Sequence, residues 1–160
     1  MIRSVKASDA AQIAEIYNHY IQNTVITFEE QPLEAAELAE RMLKVTEAFP
    51  WLVAAEDERI LGYAYAGTWR TRSAYRLSVE CGIYLHKDEC GRGLGSALYS
   101  ELLGLLAARG FHAVLGGVTL PNDPSVALHE KFGFEKVAHF KEVGLKFGRW
   151  HDVGFWERRL

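Results

Sequence analysis

The sequence predicts an α+β protein with a mixed, mostly antiparallel central sheet of about seven strands and helices on both faces. Strand-like and helix-like stretches alternate in the order strand, two helices, three strands, helix, strand, helix, two strands. The apolar runs at 51–56 and 60–69 flank a short polar link, which is typical of an antiparallel hairpin. A strand, a glycine-rich turn and a long apolar helix follow at 77–109. These observations predict α+β rather than a purely helical or purely β class.

Composition limits the class of protein further. The 160 residues, with 49% apolar side chains, form one domain, 1–160, with a core of its own. A net charge of -3 argues against nucleic acid or an anionic membrane as the partner. The chain has no uncharged apolar run long enough to span a membrane and no apolar signal segment at its start. Cys81 and Cys90 lack CxxC spacing, which favours a reducing, cytoplasmic setting.

The first elements are a short strand and two helices. Residues 2–6 are predicted to form the strand. Ser8 and Asp9 are good caps for a helix whose apolar residues recur at helical spacing. Pro32 suits the first turn of the second helix, which continues over 33–45. The apolar stripe of the first helix is interpreted as core.

The strand that begins at Leu77 carries the first chemical signal. Because strand side chains alternate, one face is apolar and the other presents small or polar residues around Glu80. A carboxylate in the middle of a strand usually has a partner or a task. The alternative is a glutamate exposed to solvent on an edge strand.

The turn after this strand predicts an anion site. Gly91, Gly93 and Gly95 alternate directly before the apolar helix, and Arg92 adds a positive charge. The first amides of a helix lack partners within it and lie at the positive end of its dipole, so they bind phosphate readily. Neither a Walker A loop nor a GxGxxG fingerprint is present, so a plain strand-to-helix turn is the alternative.

The remaining chain predicts strand, helix and two strands. Gly110 ends the long helix, 113–120 is a strand, and the segment at 122–125 caps a short helix that ends at Gly133. No HExxH motif or Cys/His cluster occurs, so no metal site is expected.

The last segment is predicted to leave the sheet and return. A strand at 134–143 is followed by a glycine-bearing excursion at 144–153, and the last strand returns at 153–158.

Three motifs carry a family resemblance. IYLHKDECGRGLGSALYSELL, at 83–103, resembles the acyl-CoA-binding motif Q/R-x-x-G-x-G/A of the GNAT superfamily of N-acetyltransferases. LPNDPSVALHEKFGFEKV at 120–137 and GLKFGRWHDVGFWERRL at 144–160, with SVE at 78–80, resemble its phosphinothricin and methionine sulfoximine N-acetyltransferase branch. The resemblance covers nearly the whole chain. Cys90 stands where the motif usually has Gln or Arg, so no role is assigned to it.

The resemblance implies a GNAT-like fold that binds acetyl-CoA as co-substrate. It implies Glu80 as the general base and His129 at the position where the superfamily often has a general-acid tyrosine. The residues expected to bind acetyl-CoA are Ile83, Tyr84, Leu85, Gly91, Arg92, Gly93, Leu94, Gly95, Ser96, Asn122 and Ser125.

The acceptor site is expected in two loops. In the resembled branch the loop at 23–32 lines the acceptor pocket, with Phe28 and Glu29 as candidates. The alternative for Glu29 is a solvent-exposed loop position. The arginine-rich loop at 70–76 has guanidinium groups that could clamp an acidic substrate, or it is a solvated charged loop. The resemblance places acceptor contacts at Arg70, Thr71 and Arg72.

Together these features predict an N-acetyltransferase that moves an acetyl group from acetyl-CoA to the amine of a small amino-acid-like acceptor by direct attack. The acceptor is expected to be of the phosphinothricin, methionine sulfoximine or methionine sulfone type. One alternative is another amine, such as a polyamine, an antibiotic or a protein N-terminus, and another is a non-catalytic acetyl-CoA sensor. The resemblance also implies a homodimer.

Overall fold

The computed structural model describes residues 1–160 and contains the predicted seven strands and four α-helices. The strands are β1 (Ile2–Ser4), β2 (Trp51–Glu56), β3 (Arg59–Thr68), β4 (Ser78–Leu85), β5 (Ala113–Leu120), β6 (Glu135–Lys146) and β7 (Arg149–Arg159). The helices are α1 (Ala10–Asn23), α2 (Ala35–Thr46), α3 (Leu94–Ala108) and α4 (Asp123–Lys131). All strands join one sheet in the order β1-β2-β3-β4-β5-β7-β6, and every pairing except β4 with β5 is antiparallel. The predicted fold class is confirmed.

Each face of the sheet has its own apolar core. Alternation along β2 directs Val53 towards the core under α1 and α2, and Leu52 towards the core under α3. α3 is more apolar than α1 and α2, and its leucines at 98, 102 and 106 are fully buried. No helix is both long and apolar enough to cross a membrane.

β4 and β5 pair over a short stretch only. Ser78–Glu80 lies beside Ala113–Leu115, and beyond that point each strand pairs only with its outer neighbour. Backbone hydrogen bonds of a strand alternate between its two sides, and the amide of His86, just after β4, donates to the carbonyl oxygen of Leu61 in β3. The amides of Ile83 and Leu85 therefore face the gap between β4 and β5.

Two predictions at the start of the chain are wrong in detail. α2 begins at Ala35, not at Pro32, because Glu34 is extended and Leu33 is held by Asn18 through hydrogen bonds at its amide and its carbonyl. Asp9 precedes α1, but its carboxylate does not cap that helix.

The Asp9 carboxylate instead accepts from the Lys6 amide and pairs with Arg3 at 2.8 Å. These bonds form a compact turn before α1, and β1 correspondingly ends at Ser4.

The predicted excursion at 144–153 is also wrong. β6 continues to Lys146, and β7 begins at Arg149. Phe147 and Gly148 have φ of 53° and 68°, so the link is a tight two-residue hairpin turn with both residues left-handed. The whole C-terminal segment is therefore a long hairpin, and β7 lies between β5 and β6.

Candidate active site

A cavity of about 490 Å³ opens where β4 and β5 separate. It brings together many of the predicted residues from strand, helix and loop. Those that line it are Phe28, Glu80, Ile83, Tyr84, Asn122, Ser125 and His129. The predicted acceptor residues Glu29, Arg70, Thr71 and Arg72 lie elsewhere.

Glu80 is a half-buried carboxylate without a protein partner. Its side chain lines the cavity from β4 and makes neither an ion pair nor a side-chain hydrogen bond. Burial raises the pKa of Glu80, and the charge of Arg70 partly opposes this. On the facing strand, Gly117 has no side chain, and a Cβ there would lie 3.3 Å from Oε1 of Glu80. The carboxylate thus has room, partial desolvation and the proton affinity of a base.

His129 is buried on α4 with both ring nitrogens engaged. Nδ1 lies 2.7 Å from the Ser125 carbonyl oxygen, and Nε2 lies 2.9 Å from the hydroxyl of Tyr99. Because a carbonyl only accepts, Nδ1 carries the hydrogen and the Tyr99 hydroxyl donates to Nε2. Burial lowers the pKa of His129, and the Ser125 carbonyl partly offsets this effect. The ring is therefore a neutral imidazole of defined tautomer.

Sequence reasoning missed Tyr99. It lies on α3, 1% exposed, among the leucines of an apolar helix face, and it also lines the cavity. Its partner is 30 positions away along the chain, on α4. The packing of α4 against α3 creates the pair, and no local sequence pattern indicates it.

The glycine-rich turn has the conformation of an anion site. Gly91 and Gly93 have φ of 80° and 79°, a region that glycine occupies without strain. The first backbone bond of α3 runs from the Ala97 amide to the Gly93 carbonyl, so the amides of 94–96 have no partner within the helix. The phosphates of the expected cofactor would lie against these amides, at the positive end of the α3 dipole.

The positive charge near this turn differs from the expected one. The guanidinium of Arg92 pairs with Glu89 and lies 3.8 Å from Glu56, so acidic neighbours balance its charge. Lys131, at the end of α4, donates from Nζ to Oγ of Ser96 at 2.9 Å. It is a further cation at the turn that the sequence did not reveal.

Asn122, which is expected both to cap the short helix and to bind the cofactor, lies at the start of α4. Its side-chain oxygen accepts from the Ser125 amide and caps α4. Both residues line the cavity on the α4 side of the gap.

The two acceptor residues predicted in the loop between α1 and α2, Phe28 and Glu29, face different cavities. Phe28 lines the main cavity, whereas Glu29 lines a second cavity of about 290 Å³. Glu29 accepts from Tyr17 and pairs with Arg41 at 2.7 Å. Burial raises the pKa of Glu29, but the bonds from Arg41 and Tyr17 outweigh this and leave it below its usual value. Glu29 therefore has protein partners, and only Phe28 faces the main cavity.

The arginine loop forms a polar cavity of its own. Arg70, Thr71 and Arg72 line a space of about 220 Å³ together with Arg76. None of these arginines pairs with a carboxylate of the protein. Thr68 lines both this space and the main cavity, so the two adjoin.

Two aromatic rings in contact also connect the arginine loop with the main cavity. The guanidinium of Arg70 lies 4.7 Å from the ring centre of Trp69. Trp69 packs edge-on against Phe155, with ring centres 5.3 Å apart, and Phe155 lines the main cavity. Unpaired guanidinium groups beside the Glu80 cavity provide a binding surface for an acidic group.

No group of three or more His, Cys, Asp or Glu side chains is placed to hold a metal ion. The fold, the free amides of α3 and the carboxylate in the gap are those expected of an acetyl-CoA-dependent N-acetyltransferase. The acetyltransferase (GNAT) domain profile matches residues 2–154, and the chain belongs to this family.

Individual relatives agree with this assignment. The chain is 41% identical to phosphinothricin N-acetyltransferase of Streptomyces viridochromogenes, over 98% of this chain and 86% of that protein. It is 34% identical to L-methionine sulfoximine/L-methionine sulfone acetyltransferase of Salmonella typhimurium, over 99% and 94%. A crystal structure of a phosphinothricin acetyltransferase from Sinorhizobium meliloti in complex with acetyl-CoA is 41% identical, with a TM-score of 0.96 over 100% of this chain and 88% of that chain. The predicted family and co-substrate are confirmed.

Substitution of Gly116 is expected to displace the His129 ring. A Cβ at Gly116 would lie 2.4 Å from Nε2, so the ring or β5 must move. We expect Gly116→Ala to lower acetyl-transfer turnover by roughly 10-fold or more. Overpacking of this site is expected to cost about 1–3 kcal/mol of unfolding free energy.

The matched control is Gly104→Ala at an exposed position of α3, where an added Cβ meets nothing within 4 Å. It is expected to keep full turnover and to gain up to about 1 kcal/mol, because alanine is the better helix former. Turnover assays and urea denaturation check both variants. If Gly116→Ala retained wild-type turnover, the expectation that turnover depends on the position of the His129 ring would be wrong.

Proposed function

We propose that this chain, as a single domain, acetylates the amine of a small amino-acid-like acceptor of the phosphinothricin, methionine sulfoximine or methionine sulfone type. The observation that carries the proposal is Glu80, a half-buried carboxylate without a partner, in a cavity adjoining arginines without acidic partners. The named substrates of the two curated relatives support the same acceptor class.

The residues of the gap fit acetyl-CoA. Its pyrophosphate would lie on the amides of 91–96, aided by Lys131, and its pantetheine arm along the amides of Ile83 and Leu85 that lack a strand partner. Asn122 and Ser125 would border the arm from α4. When bound, acetyl-CoA supplies an acetyl group activated as a thioester.

Glu80 is proposed to be the general base. An alkylammonium acceptor has a pKa of roughly 9 to 10.4, so a proton must leave before the nitrogen can attack a carbonyl. The carboxylate would take this proton directly or through one water. A β4 main-chain amide at the gap is the donor available to negative charge that develops on the carbonyl oxygen.

The His129–Tyr99 pair is assigned to the leaving thiolate. Because Nε2 of His129 accepts the hydrogen of Tyr99, it has no proton of its own to give. The thiolate would take the Tyr99 hydroxyl proton, with a water then returning a proton to Tyr99, or it would take its proton directly from water. Burial raises the pKa of Tyr99, which favours water as the source. Burial strongly raises the pKa of the Cys81 thiol, which keeps it protonated and a poor nucleophile. This supports direct attack without an acyl-enzyme.

The acceptor is proposed to lie between Phe28 and the arginine loop. Arg70 and Arg72 would bind its carboxylate or phosphinate, with Thr71 beside them, while Phe28 packs on its body. Glu29 would act at this site only through the loop that it shares with Phe28.

The cysteines support the proposed cytoplasmic location. Cys81 and Cys90 are both free thiols, and Cys90 is exposed, as expected in a reducing compartment.

Glu80→Gln is expected to lower kcat by about 100- to 10,000-fold, because the amide cannot accept the proton. Acetyl-CoA binding, measured by calorimetry, should change little, since Glu80 lies away from the glycine-rich turn.

In the wild type, kcat/KM should fall as acidity protonates Glu80. The midpoint should lie above the ordinary glutamate pKa of about 4.3, because burial raises the pKa of Glu80. Exposed Glu101→Gln on α3 is the matched control. Parallel loss of catalysis and acetyl-CoA binding would exclude the general-base role.

The acceptor class is tested by CoA release with a panel of amines. The panel comprises phosphinothricin, methionine sulfoximine, methionine sulfone, ordinary amino acids, spermidine and an aminoglycoside. Turnover confined to the first three is expected. Preference for spermidine or the aminoglycoside would refute the proposed acceptor, and acetyl-CoA binding without any turnover would favour a sensor.

We also propose a homodimer, which the apolar surface of the C-terminal hairpin supports. Val143 and Leu145 on edge strand β6 are each 53% exposed, and Trp150 on β7 is 58% exposed. Sedimentation velocity should show a dimer that Leu145→Asp dissociates. Leu43→Asp, at an exposed leucine on α2, should leave it intact. A monomeric wild type would contradict this proposal.

A further inference from the structure

The C-terminal hairpin contacts the loop at 24–34 through a buried lysine. Lys146 is 1% exposed, and its Nζ donates to the carbonyl oxygen of Thr27 at 2.8 Å. No carboxylate lies within ion-pair distance of Nζ, and Thr27 is its only protein hydrogen-bond acceptor. A buried ammonium is costly, and a bond from a charged donor to a carbonyl recovers part of that cost.

A second contact lies one residue further along the same loop. Gly144 is buried beneath the ring of Phe28, and a Cβ there would lie 2.1 Å from a ring carbon. The ring centre of Phe28 also lies 6.2 Å from that of His151, which is opposite Gly144 on β7. A side chain at position 144 would therefore push Phe28 out of its place.

The two contacts hold residues that form one wall of the main cavity. Thr27 and Phe28 both line it. Elsewhere the loop is held by Tyr17, whose oxygen lies 2.9 Å from Oγ1 of Thr27, and by Asn18 at Leu33. Only Lys146 bonds the Thr27 carbonyl. Burial lowers the pKa of Lys146, and the charges of Glu30 and Glu29 oppose this effect.

We propose that Lys146 and Gly144 are positioning residues for acceptor specificity, because they fix Thr27 and Phe28 as the acceptor-facing wall of the cavity. This inference rests on the proposed function. It assigns a task to the GLKF segment, 144–147, which the catalytic chemistry does not use. Lys146 acts through the loop and has no contact with the cavity itself.

Lys146→Met tests the proposal, because it keeps an unbranched apolar stem and removes the charge. We expect the KM for the acceptor to rise about 10-fold or more, while kcat and acetyl-CoA affinity stay within about 3-fold, because one charge-assisted hydrogen bond is lost from the acceptor side only. Lys146→Arg, which retains a cationic donor, should recover most of the loss. Exposed Lys141→Met on the same strand is the matched control.

Gly144→Ala should raise the same KM, and in combination with Lys146→Met the effects should be less than additive, since both act on one loop. Hydrogen exchange provides a readout independent of turnover. Amides of 24–30 should exchange faster in Lys146→Met, whereas those at the α3 turn should not.

Defined outcomes would overturn the proposal. An equal rise of both KM values, or a lower Tm with unchanged acceptor KM and unchanged exchange at 24–30, would mean a purely structural lysine. If the wild type turns over no acceptor in the panel, the proposed function fails, and exchange at 24–30 alone decides whether Lys146 holds the loop. If Lys146→Met does not fold, Lys146→Gln replaces it, and a folded Gln variant with wild-type acceptor KM and exchange overturns the proposal.

Discussion

The early end of pairing between β4 and β5 is the constraint on which the site depends. After Glu80 and Leu115 the two strands no longer bond each other, yet each remains fixed by its outer neighbour. A buried sheet edge with unsatisfied amides is unfavourable unless a ligand or water pairs with it. The gap therefore creates the cavity, the line of free amides and the position of Glu80 at its base. α3 and α4, which pack on the same face, bring the glycine-rich turn and His129 to it.

Charged groups around the cavity fall into two sets. Glu29 and Arg92 have partners of opposite charge, Arg41 and Glu89, and these pairs fix the loop and the turn that carry them. Glu80 and the loop arginines have no such partners. Glu80 is half-buried, and a half-buried charge without a partner is costly to folding, whereas the loop arginines are exposed. Both remain available to a substrate. The division between paired and unpaired charges thus separates the structural framework from the groups proposed to meet the acceptor.

Much of this could be predicted from the sequence because its signals are local. The alternation around Glu80, the glycines at 91–95 and the cap at Asn122 each depend on a few neighbouring residues. The errors concern features set by distant contacts or by turn geometry. α2 begins later than predicted because Asn18 holds Leu33 in a non-helical position. Phe147 has a left-handed backbone in a tight turn, a conformation that is rare for a bulky aromatic residue and so was not predicted. Tyr99 and Lys131 reach the site only through helix packing, so no spacing rule could identify them.

The position of β7 within the sheet has a consequence for how the chain acquires its shape. β7 lies between β5 and β6 but follows both in chain order. During synthesis on the ribosome, β6 has no neighbour, and one long edge of β5 stays open, until residues 149–159 emerge. Val153 and Phe155 on this strand are also walls of the cavity. A nascent chain would thus carry the glycine-rich turn and Glu80 before it has an enclosed pocket, and the pocket would close only in the last step of assembly.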